Sequence, residues 1–209
     1  ADSRFIRVGK QRYGLAVWDV TEFRGVVPAM IAAIEAAGGY REVADLAQEI
    51  HLGFDASPNS VKILATTHPV FLTVDWRVML RPEDQPYQPK QSLESSRDCL
   101  LVDGSWAWRV PVDHDVLRGS GRGMPEAFAV HLGMTPLSKS TIDSPIGPIR
   151  LGWQQGPHIG TLRRAAESAG AEEGDLLLVI SESSGRLSFQ RVPRDGCADP
   201  APTENGQAR

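Results

Sequence analysis

Residues 82–96, PEDQPYQPKQSLESS, hold three prolines and only Tyr87 and Leu93 as large apolar side chains. A core element cannot run through such a stretch. Each proline removes a backbone donor and fixes φ, and too little apolar surface is present to offset the entropy of ordering. The stretch reads as a linker over 83–96, so the 209 residues divide into two compact parts. An apolar fraction of 41% supplies a core for each and excludes a wholly disordered chain. No run approaches the ~18–20 apolar residues of a membrane-spanning helix. The opening ADSRFIRVGK is charged early and has no hydrophobic signal region. Two cysteines, Cys99 and Cys197, cannot frame a disulfide-stapled fold. A cytoplasmic location follows as the expectation. The chain lacks an initiator Met and opens inside a strand pattern, as a piece of a longer polypeptide would. Residues 193–209 contain no large apolar residue and are expected to be a disordered tail. No repeat of solenoid length is present.

The N-terminal part begins with a hairpin pattern over residues 1–24. Phe5, Ile6 and Val8 form one strand, Gly9-Lys10-Gln11 a turn, and Tyr13 to Trp18 the return strand, with Tyr13, Leu15 and Val17 on one face. Three helical segments follow. Val27, Met30, Ile31 and Ile34 recur at helical spacing and stop at Gly38-Gly39. Val43, Leu46, Ala47 and Ile50 repeat the spacing, with Gly53 just beyond. Ser57 as N-cap and Pro58 at the first helical position open the third helix, whose inward face is Val61, Leu64 and Ala65 and which Pro69 stops. The turn before it, Leu52 to Ala56, reads as somewhat longer than minimal. Val70 to Thr73 and Trp76 to Leu80 then read as two strands around Asp75.

Three short helices followed by a hairpin is the order of a winged helix-turn-helix, here over residues 25–82. The first two helices bury one face of the third and leave its other face free to enter a major groove. That face carries Asn59, Ser60 and Lys62, with Ser57 at its start and Thr66 further along. Asn and Ser can bond base edges, and Lys can reach a phosphate or a guanine. Arg77 and Arg81 on the wing, and Arg4, Arg7, Lys10 and Arg12 on the first hairpin, suit phosphate contact. Asn and Ser at a helix start also serve simply as caps, and Lys62 is the one cation on the third helix. The unit from Val26 to Leu80 resembles the winged helix-turn-helix domains of the HARE and sigma-region-4-like kind. RFIRVGKQRYGLAVWDV resembles the closing wing of a preceding domain of that kind, whose helices would lie before residue 1. The resemblance implies DNA binding, often beside RNA polymerase, or a tandem adaptor role in larger DNA-processing proteins. The net charge of −4 departs from strong, non-specific DNA binders.

The C-terminal part, 97–192, reads as a small mixed or barrel-like α+β domain. Leu100 to Val102 and Trp106 to Val112 form a hairpin around Asp103-Gly104. Trp106 and Trp108 share a face as packing aromatics, with base stacking the lesser alternative. The glycine-rich run Leu117 to Glu126 enters a helix at Pro125. It is either a flexible connection or, with Arg118 and Arg122, a holder of nucleic-acid phosphate. It has neither P-loop nor dinucleotide-fingerprint spacing. Pro145 to Trp153 reads as a strand, His158 to Ala169 as a helix capped by Gly170, Glu172 to Asp175 as a turn, and Leu176–Ile180 and Arg186–Val192 as strands. This helix, turn and strand are similar to those of pseudo-barrel DNA-binding domains.

Asp113-His114-Asp115 could bind a metal or shuttle protons, but a surface turn is the plainer reading. His51, His68, His131 and His158 are scattered, and Ser120 is not in a nucleophile elbow. No residues supply nucleophile, base and oxyanion donors together, so no catalytic residue, cofactor or metal is expected. The chain reads as an α+β DNA-binding region of a regulatory or genome-maintenance protein, its partners duplex DNA and a larger assembly such as RNA polymerase. The alternative is a non-catalytic adaptor docking to a polymerase, helicase or nuclease subunit. A third is a specificity subunit of a nuclease or modification system.

Overall fold

The computed structural model describes residues 3–194. The expected tail falls outside the described residues from 195 onward, and Cys197 with it. The described chain is mixed α+β, with six helices and four antiparallel sheets. It divides into two compact units, Ala1–Tyr87 and Gln88–Arg209.

In the first unit, β1 (Phe5–Arg7) and β2 (Tyr13–Leu15) pair as a short hairpin. The return strand stops at Leu15 instead of reaching Trp18. The Ala16 N–H donates to the Arg4 carbonyl (2.7 Å) and the Trp18 N–H to Leu15 (3.0 Å), which turns the chain and leaves Val17 and Trp18 exposed. Next come α1 (Val26–Ala36), β3 (Tyr40–Glu42), α2 (Val43–Phe54), α3 (Pro58–Thr67), β4 (Phe71–Val74) and β5 (Arg77–Leu80). The periodic residues bury as their spacing requires: Met30 and Ile34 of α1, Leu46 and Ile50 of α2, and Val61 and Ala65 of α3. Phe71 and Val78, on the inner face of the sheet, join this core.

Two features differ from the sequence expectation. Helix α2 continues through Gly53 to Phe54, whose ring stacks on Phe23 at 5.2 Å. Asp55, at φ 59, takes the left-handed C-cap position. The connection to α3 is therefore only Asp55-Ala56-Ser57. The three-residue strand β3 is too short to show a period of two. It pairs with β5, giving the sheet order β3-β5-β4.

The second unit contains β6 (Cys99–Val102), β7 (Ser105–Pro111), α4 (His114–Arg118), β8 (Gly121–Gly123), α5 (Glu126–His131), β9 (Lys139–Ile142), β10 (Ile149–Trp153), β11 (Pro157–Thr161), α6 (Arg163–Ala169), β12 (Leu176–Ser181) and β13 (Leu187–Val192). They form two open four-stranded sheets, ordered β13-β12-β7-β6 and β8-β11-β10-β9, where a barrel-like arrangement was one expectation. The β6–β7 hairpin turns at Asp103-Gly104, both at positive φ (48 and 80), as the dipeptide predicts. Leu177 and Val179 of the apolar run are buried in central strand β12. Trp108 packs on Phe128 with ring centroids 6.3 Å apart, and Trp153 is fully buried.

Three segments correct the sequence reading. The expected helix from His158 begins only at Arg163. His158 to Thr161 instead extend as β11, because a neighbour on either side pairs with them: Gly152 faces His158 from β10, and Gly123 faces it from β8. The glycine-rich run is not a flexible connection, since Gly121–Gly123 is strand β8. Its glycines permit close approach: a Cβ on Gly121 would stand 2.8 Å from the Ile159 carbonyl oxygen. Of the expected strand 145–153, only Ile149–Trp153 is extended, since Gly147 turns at φ 99.

Candidate functional site

The twelve residues singled out for DNA contact fall into groups with different surroundings. Asn59, Ser60 and Lys62 lie exposed on α3, with Ser57 exposed at its N-cap position. The Ser57 hydroxyl makes no capping bond to the helix. Thr66 is committed elsewhere, its hydroxyl donating to the Lys62 and Ile63 carbonyls at 3.1 Å each. The same outer face presents Ile63, 60% exposed.

The wing arginines are bound within the unit. Arg81 donates from Nε to the Pro69 carbonyl (2.8 Å) and from a terminal nitrogen to Phe71 (3.0 Å), and lies over the Tyr87 ring. It is a clasp on the start of β4. Arg77 pairs with Glu42 across the sheet at 2.8 Å and lies over the Tyr40 ring at 5.6 Å. The Glu42 carboxylate, first by its hydrogen bond and then by its charge, holds the Arg77 pKa above the usual guanidinium range.

The first hairpin is tied to the end of α2 by one cation, Arg12, and by the backbone amide of Lys10. Arg12 donates to the Gly53 carbonyl (2.8 Å) and pairs with Asp55 (2.6 Å), while the Lys10 N–H donates to the Phe54 carbonyl (2.9 Å). A cation at the last carbonyls of a helix meets both their unpaired oxygens and the negative end of the dipole. Arg7 donates to the Gly9 and Lys10 carbonyls and lies over Phe23 at 5.1 Å. Of the cluster that reads as a phosphate track, Arg7 and Arg12 are bonded within the unit, and the Lys10 side chain is exposed. Arg4 is exposed.

In the second unit one of the two cations of the candidate phosphate loop is paired within the unit. Arg122 pairs with Asp113, and Asp113 accepts from the Val116 N–H at 3.0 Å as the N-cap of α4. These bonds, the backbone one first, hold the Asp113 carboxyl below its ordinary range. Arg118 is exposed in the last turn of α4. Asp113-His114-Asp115 is thus a helix start, and among the described residues no three His, Cys, Asp or Glu converge to hold a metal. Cys99 is buried, and that burial raises its thiol pKa. No described helix is long and apolar enough to cross a membrane.

Sequence reasoning missed the outer face of the β3-β5-β4 sheet. Cross-strand register places Tyr40, Met79 and Leu72 in one row, and Glu42, Arg77 and Val74 in the next, all on the side away from the helices. Tyr40 is 52% and Val74 50% exposed, and Trp76 at the hairpin tip is 75% exposed. The tip is a two-residue turn with both Asp75 and Trp76 at positive φ (48 and 63). The available signal was Val74-Asp75-Trp76 itself, two large apolar residues flanking a turn. The rest of the face required knowing that Tyr40 lies in a strand. No family model matches the chain, and neither a curated protein nor a solved structure matches it.

Proposed function

We propose that residues 25–82 form a winged helix-turn-helix that acts as a non-catalytic protein-docking adaptor, seating a subunit of a larger assembly such as a polymerase, helicase or nuclease. Helices α1, α2 and α3 followed by the β4–β5 hairpin, with β3 completing the sheet, support the winged-helix reading. One observation carries the docking reading. The outer face of the wing is apolar where a phosphate-tracking wing would be basic, and its one cation, Arg77, is already paired with Glu42. A contiguous apolar face rimmed by polar groups is what a protein interface presents, and exposed Trp and Tyr are the side chains that dominate such interfaces. The partner surface it fits is itself apolar, with a pocket for the Trp76 indole.

A second reading, duplex DNA contact by α3, rests on Ser57, Asn59, Ser60 and Lys62. All four side chains are exposed and free of hydrogen bonds and ion pairs among the described residues.

The test is affinity capture from the native cell extract with the wild-type chain and the Val74→Asp/Trp76→Ser variant, followed by reconstitution of any differential partner from purified proteins. A partner retained by the wild type, lost by the variant and reproduced in reconstitution supports docking. Equal capture by both chains sinks it. Parallel titration of labelled duplex DNA at low and near-physiological salt, with and without Lys62→Glu, tests the second reading.

A further inference from the structure

The sheet β8-β11-β10-β9 has two unlike faces. Ile149, Leu151, Trp153 and Ile159 are buried on one. The other is an open groove of about 520 Å³, with Lys139, Thr141, Arg150, Gly152, His158 and Gly160 on its floor and walls. Register explains the arrangement. Gly152 stands between Lys139 on β9 and His158 on β11, and Arg150 lies opposite Thr141 in the next row. Strands are ~4.8 Å apart and alternate residues rise ~6.7 Å, so the three basic side chains start about 8–10 Å from one another. Among the described residues the side chains of Lys139, Arg150 and His158 form no hydrogen bond or ion pair, and no carboxylate lines the groove.

The glycines shape the floor. A Cβ on Gly152 would fall 2.6 Å from the His158 imidazole, so only glycine lets that ring lie across β10. A Cβ on Gly160 would approach the Arg150 carbonyl oxygen to 3.2 Å. The result is a shallow, unenclosed trough with two unpaired cations and one exposed planar ring.

We propose that this groove binds single-stranded nucleic acid, with Lys139 and Arg150 on successive phosphates and His158 as the stacking surface for a base. Two unpaired cations on neighbouring strands of an open, unenclosed trough suit an extended polyanion that runs along it. Free cations tracking a backbone, together with a ring for stacking, are the two parts of sequence-tolerant single-strand binding. The groove lies wholly in the second unit, and the assignment is independent of the docking and duplex readings of the first.

The experiment is fluorescence anisotropy of a labelled mixed-sequence single strand with the whole chain, at low and near-physiological salt, with the matching duplex in parallel. Lys139→Glu/Arg150→Glu is expected to weaken single-strand binding at least tenfold. Loss of two phosphate contacts flattens the salt slope by about 1.4, at ~0.7 per contact. His158→Ala weakens binding, and His158→Phe restores it because the stacking face is kept. All three positions are exposed, and circular dichroism checks that each variant is folded. Unchanged affinity in the double variant, preference for the duplex, or loss of binding with Lys62→Glu instead would overturn the assignment.

Discussion

The two units carry the same net charge and dispose of it differently. Ala1–Tyr87 has 9 basic against 11 acidic residues and Gln88–Arg209 has 13 against 15, −2 in each case. Yet Arg7, Arg12, Arg77 and Arg81 of the first unit are bonded to its own carbonyls and carboxylates, while Lys139 and Arg150 of the second are unpaired in a groove. Apolar side chains divide the other way. Among the described residues, of eleven large apolar side chains left exposed, ten lie in the first unit and only Leu101 belongs to the second. Net charge therefore conceals how this chain disposes of its cations: the units differ in whether each cation is already satisfied and whether the surface beside it is greasy or bare.

The largest effects should come from the cores. Phe128→Ala removes a fully buried ring and is expected to cost about 3–5 kcal/mol of local stability. Amide exchange read by mass spectrometry should show that loss over β7 and β12 and leave α1 to α3 protected. Equal loss in both units would break the comparison.

Gly121→Val should cost about 1–3 kcal/mol, because its new Cβ meets the Ile159 carbonyl oxygen at 2.8 Å. A denaturant midpoint measures it, and a neutral result would mean that β8 is not held against β11. A flexible loop would tolerate valine, so the loss also tests the strand assignment of Gly121–Gly123.

Acid should act on the second unit first. Asp175 is buried and accepts from the Glu172 N–H (2.8 Å) and the Arg194 N–H (3.2 Å), with Arg191 beside it at 2.8 Å. These bonds, the Glu172 one foremost, lower its pKa. A lowered folded-state pKa stabilises fully above the unfolded value near ~3.9, and that stability is lost as pH falls through the folded value. The thermal midpoint should therefore fall below about pH 4. In Asp175→Asn it should be lower at neutral pH and decline less steeply in acid. An unchanged acid limb in that variant would remove Asp175 from the account.

The smallest stability effect belongs to the wing. Val74→Ser/Trp76→Ser changes two exposed side chains and should alter stability by no more than ~0.5 kcal/mol. Partner capture should nonetheless be lost. A large destabilisation would mean that the exposed face has a structural load inside its own unit.

Legibility from sequence followed periodicity and punctuation. The three helices of the first unit were readable because Met30, Ile34, Leu46, Ile50 and Val61 repeat at helical spacing and Pro58 and Gly38-Gly39 mark their ends. The apolar run of β12 and the Asp103-Gly104 turn were readable for similar local reasons. The strands β3, β8 and β9 were not, since three or four residues rich in Gly, Ser or charge become strands only when a neighbour supplies the hydrogen bonds. The same limit hid His158, whose place beside Gly152 depends on a pairing between strands. Arginine was the other blind spot. Its side chain reads as a surface charge, but whether a carbonyl such as Pro69 or Gly53 lies within reach is a tertiary fact.

The turn at Asp75-Trp76 has a consequence for how this hairpin could be engineered. A two-residue turn with both φ positive is the place where Asn-Gly is most favoured, and a bulky L-residue there costs roughly 1–2 kcal/mol. The hairpin therefore sits below its own stability optimum and displays an indole at the position where glycine would be lowest in free energy. Asp75→Asn/Trp76→Gly is expected to raise the thermal midpoint while abolishing partner capture. In that trade the hairpin's thermodynamic loss resides in the side chain to which we assign docking.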